Sequence, residues 1–461
     1  MKKLLTIVIA LVMVCSAVFA LVACEPKSNL TGTAKVVEEA SKMSLDDLKA
    51  ASKKEMEESN DTFKVVGLTS VLAKTLEAFQ KEYTWVTKEN SNCKNDYKDY
   101  QLLSALETAE KSYFADYALV QDVRSIAAID GELLHNYVPS DYEALGLTKA
   151  DTVPLKGIYF NKLFWTNSNF ETVTGKTLYN IWQLAGHDAV AATDDAPAKD
   201  ADHPDHLSKL SFQTAATEQI NMSFLLSAEA PENQDRIKAA YKKYYGKDWS
   251  SDIYASAGQQ WVTEFVANIS RFHSSDGTAM KETQLKDDWT AGYVYYGAFA
   301  KMKDAVGKYY TVPDQANDPI LKDLVETSGD NAGKINAMKT VKWDWEIEGF
   351  NGFMYAMCSQ VVNNAKHPYT ACLYARYLVT LQAYENAIYN DKLPSANGTT
   401  GTKVNQYGYY APASNNITYA QGDWNRDTHI KNELVEDYEY LSKTKITQVN
   451  RILGLISANK K

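Results

Sequence analysis

The sequence predicts an α/β protein whose mostly parallel sheets are flanked by helices. Thr62 to Val66 is a β-branched and aromatic run followed by Gly67-Leu68-Thr69, and Ser70 then leads a helical pattern with Leu72, Leu76 and Phe79 at i, i+4 and i+7. A second unit reads helix then strand: Leu103, Leu106 and Ala109 share one face, and Tyr117-Ala118-Leu119-Val120 is an apolar strand ending at Gln121-Asp122. Helices alternating with short apolar strands put the strands side by side and the helices over their faces. The chain has 461 residues, 45% of them hydrophobic, enough for a large core and, at about 150 residues per domain, for two or three domains.

The N-terminus opens with Met1-Lys2-Lys3, an apolar run from Leu4 to Leu21, and Leu21-Val22-Ala23-Cys24. Two lysines, a short apolar core and a small-residue cleavage site are the parts of a secretory signal. The closing tetrapeptide resembles the lipobox of bacterial lipoproteins, where cleavage leaves the cysteine as an acylated N-terminus. The expectation is a signal peptide over residues 1–23, lipidation at Cys24, and a body held at the extracytoplasmic face of the cell membrane. Each buried CH₂ of an acyl chain contributes about 0.8 kcal/mol, so several chains give stable anchoring where one does not. No later stretch approaches the roughly 18 uninterrupted apolar residues of a spanning helix.

Glu25 to Met43 is rich in Lys, Glu, Ser and Thr and reads as a tether. Ser44 then offers an N-cap with Asp47 three residues on, and Leu45, Leu48, Ala51 and Met56 predict a helix over Leu45 to Glu58. Ala189 to His206 is small, acidic and Pro-containing, a predicted exposed loop. Beyond it come a strand at Lys209 to Phe212 and helices around Ile220 to Leu226, Gln234 to Tyr245 and Gln259 to Phe272. A strand at Ala291 to Phe299, the segment Trp343 to Ile347, a strand at Gly352 to Met357 and a helix from Pro368 to about Tyr389 follow. A loop over Ser395 to Gln406 leads to a C-terminal helix from Ile430 to about Ile456.

Acids outnumber bases, 58 to 48, for a net charge of −10. A negative body gains nothing from a phosphate backbone, so no nucleic-acid partner is expected. Of five cysteines, Cys15 leaves with the signal and Cys24 is the lipidation site, leaving Cys93, Cys358 and Cys372. Cys358 and Cys372 read either as a bridge or as two thiols buried as small hydrophobes, the second being preferred because a chain this long needs no staples.

Several segments together resemble the extracellular solute-binding proteins of bacterial ABC importers. The pieces are SLDDLKAASKKE, FKVVGLTSVLAKTLEAFQKEY, ADYALVQDVRSIAAIDGELLHNYVPSDY, GKTLYNIWQLAG, RIKAAYKKYYGKDW and EGFNGFMYAM with NNAKHPYTACLYARYLVTLQAY, in order from Ser44 to Tyr384. The resemblance implies a two-lobe periplasmic-binding-protein-like fold joined by crossing strands, a solute held in the interlobe cleft, and docking on permease subunits. The chain departs from the pattern at Tyr83 to Thr87, where a Pro-Gly turn is usual, and at Gln213-Thr214, where an Asp-Pro is usual. With it come the expected bounds: tether and N-terminal helix over 24–60, lobe I over 61–157 and 346–395, lobe II over 158–345, and a C-terminal helical segment over 396–461.

Enzymatic motifs are absent: there is no Gly-x-Ser-x-Gly elbow and no His-Glu-x-x-His. Gly175-Lys176-Thr177 lacks the first glycine of a phosphate loop and reads as an ordinary helix entry. Asp202, His203, Asp205 and His206 are residue types that suit zinc, but a solvated acidic loop is the preferred reading. Thirty tyrosines and nine tryptophans, against fourteen phenylalanines, mean that most rings bring a polar handle, which suits a wet cleft.

Ligands of open parallel sheets sit beyond the carboxyl ends of the strands. The predicted ligand-binding residues are therefore Thr69 and Ser70, at a helix N-terminus whose N–H groups favour oxygen atoms, with Gln121, Asp122, Gln213 and Thr214. Tyr296, near a strand end, and Trp345 and Glu348, in the crossing segment, join them because of where the resemblance places them. The expected function is capture of a small polar solute, a carbohydrate or other organic molecule before a metal ion, for an ABC permease, by a monomer without catalysis or cofactor. The alternatives are a lipoprotein hydrolase or glycan-modifying enzyme using paired carboxylates, and a surface adhesin on the same fold.

Overall fold

A computed structural model describes residues 30–97, 99–108, 113–129, 132–167, 177–185, 210–276, 278–279, 347–380, 382–383 and 432–459, with strand pieces at 291–295, 341–342, 389–390, 404–405 and 409–410. The chain begins with α1 (Gly32–Ala40) and α2 (Leu45–Glu58). Lobe I then alternates β1 (Phe63–Gly67), α3 (Ser70–Glu82), β2 (Ser91–Lys94), α4 (Asp99–Thr108), β3 (Tyr117–Val120), α5 (Val123–Ile129), β4 (Leu134–His135) and α6 (Lys149–Thr152). A long strand, β5 (Lys156–Asn167), leads to β6 (Leu210–Gln213), α7 (Gln219–Glu229), α8 (Gln234–Tyr245), α9 (Ala257–Asn268), β7 (Ile269–His273), β8 (Ala291–Tyr295) and β9 (Val341–Lys342). A second long strand, β10 (Gly352–Val362), precedes α10 (Pro368–Leu378), the short strands β11 (Tyr389–Asn390), β12 (Val404–Asn405), β13 (Tyr409–Tyr410) and β14 (Leu434–Val435), then α11 (Tyr438–Ser442) and α12 (Ile446–Ala458).

The main sheet runs β2-β1-β3-β10-β5-β8-β6-β7. Its two wings are parallel: β1 pairs with β2 and β3, and β6 pairs with β7 and β8. The centre is antiparallel, because β10 and β5 pair with each other and β5 pairs with β8. Those two strands carry the chain from one wing to the other. Gly352 permits their close approach, since a Cβ there would lie 2.1 Å from the Lys162 carbonyl oxygen.

One continuous core runs through both wings. In lobe I, Phe63, Val65, Leu72, Leu76 and Phe79 are buried, and the Phe79 ring meets Tyr374 of α10 edge-on at 5.1 Å. Each fully buried side chain of this size contributes about 1.5–3 kcal/mol relative to exposure. The buried Tyr374 hydroxyl is matched by Thr75 Oγ1 at 2.8 Å. In lobe II, Trp261 stacks on Phe265 at 4.7 Å and meets Phe350 at 4.9 Å, and its indole N–H donates to the Ile181 carbonyl at 3.0 Å.

The helix predicted over Leu45 to Glu58 is found there, with the Asp47 N–H donating to Ser44 Oγ at 3.2 Å and Leu48, Ser52 and Met56 buried. The predicted tether over Glu25 to Met43 is corrected: residues 32–40 are α1, whose Thr33, Val37 and Ala40 are buried. The helix predicted over Gln259 to Phe272 stops at Asn268, and Ile269–His273 pairs with β6 as a strand. The strand predicted over Gly352 to Met357 extends to Val362. The C-terminal helix predicted from Ile430 is a strand and two helices: Asp437 starts α11 by accepting from the Tyr440 N–H at 3.0 Å, and a new helix begins at Ile446. Cys93, Cys358 and Cys372 are free thiols, the latter two buried. Cys24, Tyr296, Trp345, the acidic loop with Asp202 and His203, and the loop over Ser395 to Lys403 lie outside the described residues.

Candidate functional site

Polar groups from the two wings meet beyond the carboxyl ends of the strands. The β1–β3 register sets Gly67 beside Leu119, so Thr69 and Gln121 emerge level with each other. Thr69 Oγ1 accepts from the Val71 N–H at 3.3 Å and caps α3. Ser70 is the first residue of that helix.

After β3 the chain turns into α5 through Asp122. Its carboxylate accepts from Arg124 Nε (3.0 Å), Arg124 N (3.2 Å) and Ser125 Oγ (3.1 Å). An acid at a helix N-terminus is stabilised by the exposed N–H groups. Asp122 thereby orients the Arg124 guanidinium, which donates to Gln219 Oε1 of α7 at 2.7 Å. A second bridge between the lobes runs from Gln121 Nε2 to Glu218 Oε1 at 3.4 Å. Gln213, at the end of β6, reaches the same carboxylate: its Nε2 donates to Glu218 Oε2 at 3.1 Å and to the Ser274 carbonyl at 3.1 Å. Thr214 Oγ1 accepts from the Ala216 N–H at 3.3 Å and shapes the turn before α7.

Below this group lies Lys162 of β5, buried to 1% exposure. Its ammonium donates to Asn221 Oδ1 (2.8 Å) and Asp276 Oδ1 (3.2 Å), and Gln213 Oε1 stands at 3.5 Å. Asn221 is itself fixed by donating to the Gln213 carbonyl at 2.6 Å. A buried charge of this kind persists only when paired and hydrogen-bonded, and Lys162 has both, so it locks the β6 end to the segment after β7.

The structure thus brings together Gln121, Asp122 and Gln213, sets Thr69 level with Gln121, and places Thr214 beside them. Glu348 is not part of the group: its carboxylate pairs with Lys243 of α8, and its backbone pairs with Tyr179 and Ile181. The segment before β10 is held against the 3-10 turn at Ile181–Gln183 and against α8. Sequence reasoning missed Arg124, Lys162, Glu218, Gln219, Asn221 and Asp276. The signal for Lys162 was a single charge inside the apolar run Gly157 to Trp165, and that for Arg124 was its place two residues after an acid at a strand end. Among the described residues no group of three or more His, Cys, Asp or Glu side chains is placed to hold a metal ion.

No protein-family model and no curated protein sequence matches this chain. Its fold does match solved structures. A FutA (IdiA) from Trichodesmium in complex with iron and citrate superposes with a TM-score of 0.53 at 13% identity, over 86% of this chain and 99% of that one. An ABC transporter substrate-binding protein from Bradyrhizobium japonicum gives 0.52 at 10% identity, over 86% and 100%. The apo ferric ion-binding protein A of Pasteurella haemolytica gives 0.50 at 12%, over 87% and 98%. At such identities the likeness establishes the fold: the chain has the two-lobe architecture of periplasmic binding proteins, as the sequence resemblance implied.

Proposed function

We propose that this protein is the lipid-anchored solute-binding component of an ABC importer, which captures a small polar solute between its lobes and passes it unaltered to membrane permease subunits. The observation that carries this reading is the pair of bridges, Gln121 to Glu218 and Arg124 to Gln219, by which polar side chains of both lobes converge at the strand ends of a binding-protein fold. A solute there exchanges places with these partners, and rotation about β5 and β10 closes the lobes over it.

The carbohydrate expectation yields first place in a ligand screen to a chelated metal ion. Two of the three similar structures are described by iron: one holds it with citrate, and the other is a ferric ion-binding protein. Ferric citrate is therefore the first probe, followed by free organic acids, amines and sugars. A thermal-shift screen with mass spectrometry of the recovered ligand tests the reading. Stabilisation by a solute recovered intact supports it; recovery of a converted product supports an enzyme instead.

A further inference from the structure

The C-terminal segment reaches the hinge. Asn351 N donates to the Asn432 carbonyl (3.0 Å), Phe353 and Met354 pair in parallel with Leu434 and Val435, and Glu436 N donates to the Met354 carbonyl (2.8 Å). β5 occupies the other edge of this part of β10. On the edge shared with β14, β3 runs the opposite way and pairs from Val361 to Cys358. The two strands therefore point at each other along β10 and meet around Ala356.

At that meeting point the Ala356 N–H donates to Glu436 Oε2 at 3.2 Å, while Glu436 Oε1 is buried without a hydrogen-bond partner. Lys156 from β5 and Asp122 and Arg124 from the β3–α5 turn are the charges that face this carboxyl. The Lys156 ammonium also lies over the Tyr438 ring, 5.9 Å from its centroid. Past Glu436 the segment touches both lobes: α11 packs against α5 of lobe I and α7 of lobe II, and α12 packs on α7 and α9 with Arg451 paired to Glu229. Arg236 of α8 holds its start, donating to the carbonyls of Gly349 (2.6 Å), Glu433 (3.0 Å) and Asn432 (3.1 Å).

We propose that the C-terminal segment is a clasp across the hinge, and that ionisation of Glu436, where the ends of β3 and β14 meet, loosens the clasp and opens the lobes. A neutral carboxyl can be buried there; an ionised one has an oxygen with no donor and is repelled by Asp122, while Lys156 and Arg124 attract it. Moving the β3 end away from the β14 end opens that oxygen to water, and that motion is lobe rotation. Burial is the main cause that pushes this carboxyl up to about 8, with Lys156, the Ala356 N–H and Arg124 opposing it and Asp122 adding to it. The closed form holds a proton that an opened, solvated carboxyl releases near its ordinary value of 4.5, so the advantage of closure is fully present below about 4.5 and is lost as pH rises through about 8.

The test uses the full mature chain without any solute, so its outcome is independent of the solute-binding proposal. Small-angle scattering from about pH 4.5 to 9.5 is expected to show the radius of gyration rising between about pH 4.5 and 8 and level above that, while Glu436→Gln keeps the low-pH radius throughout. A wild-type radius that does not change, or a Glu436→Gln protein that expands as the wild type does, overturns the proposal. If Glu436→Gln fails to fold by circular dichroism, Lys156→Met decides: removing a facing cation pushes the carboxyl further up, so the radius should go on rising above about pH 8, and a profile unchanged from the wild type overturns the clasp.

Discussion

Arg124 donates to Gln219 Oε1 at 2.7 Å and so joins the first turn of α5 in lobe I to the first turn of α7 in lobe II. Because Asp122 fixes the guanidinium from behind at 3.0 Å, the bond loses little side-chain entropy when it forms. A hydrogen bond from a charged group is worth about 1.5–3 kcal/mol. Arg124→Ala is expected to shift the open-to-closed ratio of the solute-free protein by about ten- to a hundredfold, each tenfold step corresponding to about 1.4 kcal/mol. Scattering of the two proteins at one pH reads this as a larger mean radius for the variant.

Lys162 is predicted to be structural as well as central. Lys162→Ala leaves Asp276, Asn221 and Gln213 without their shared donor, and removing one partner of a buried pair costs about 3–5 kcal/mol. Urea unfolding should show that loss. Lys162→Met combined with Asp276→Asn should recover most of it, since the methionine fills the same space and no lone carboxylate remains.

The stability of lobe II should fall as pH rises. Glu264 of α9 is fully buried, burial pushes its carboxyl up to about 8 against the opposing hydrogen bond from Gln260 (2.8 Å), and its Oε2 has no hydrogen-bond partner. The folded protein holds a proton that the unfolded chain, titrating near 4.5, has released. Its favourable state is fully present below about 4.5 and is lost as pH rises through about 8, at a cost of a few kcal/mol. Glu55, raised to about 7 by burial, and Glu436 act in the same direction. Urea midpoints between pH 5 and 9 should decline, and Glu264→Gln should flatten the decline; an equal slope in both proteins would show that Glu264 is not its source.

Gly352→Ala should destabilise the crossing strands by about 3 kcal/mol or more, the upper range of overpacking. The added Cβ meets the Lys162 carbonyl at 2.1 Å, and backbone on both strands would have to move. Thermal unfolding with calorimetry checks the loss.

Local chemistry made the first wing legible. The apolar run of β1, Ser70 leading a helix and the spacing of Leu72, Leu76 and Phe79 are all within one turn of their neighbours in sequence, and each is found as read. The helix-to-strand change at Ile269 was not legible because Phe265 to Phe272 has no Gly or Pro to mark it. In α1, Val37 and Ala40 sit among Lys35, Glu38 and Glu39, so the charged face hid a one-turn apolar stripe. Candidate positions at strand ends followed from topology, which is why Gln121 and Gln213 belong to the convergent group. Their partners did not follow, because Glu218 lies 97 residues from Gln121 and Asp276 lies 114 from Lys162. Pairing over such separations depends on how the wings close, which periodicity does not encode.

Lipidation is checked separately. Mass spectrometry of the mature protein from membranes should find acyl mass on Cys24, and Cys24→Ser should be released or misprocessed. An unmodified N-terminus at Cys24 in the wild type would remove the anchor from the proposal.

Whether the crevice holds the solute is decided most directly by calorimetry and small-angle scattering on one preparation, with ferric citrate and then each remaining hit from the screen. Binding with a contraction of the radius of gyration, recovery of the solute unchanged, and weakened affinity in Arg124→Ala and Gln213→Ala proteins that remain folded by circular dichroism are the predicted results. Tight binding with no contraction and full affinity in both variants would place the solute elsewhere and contradict it.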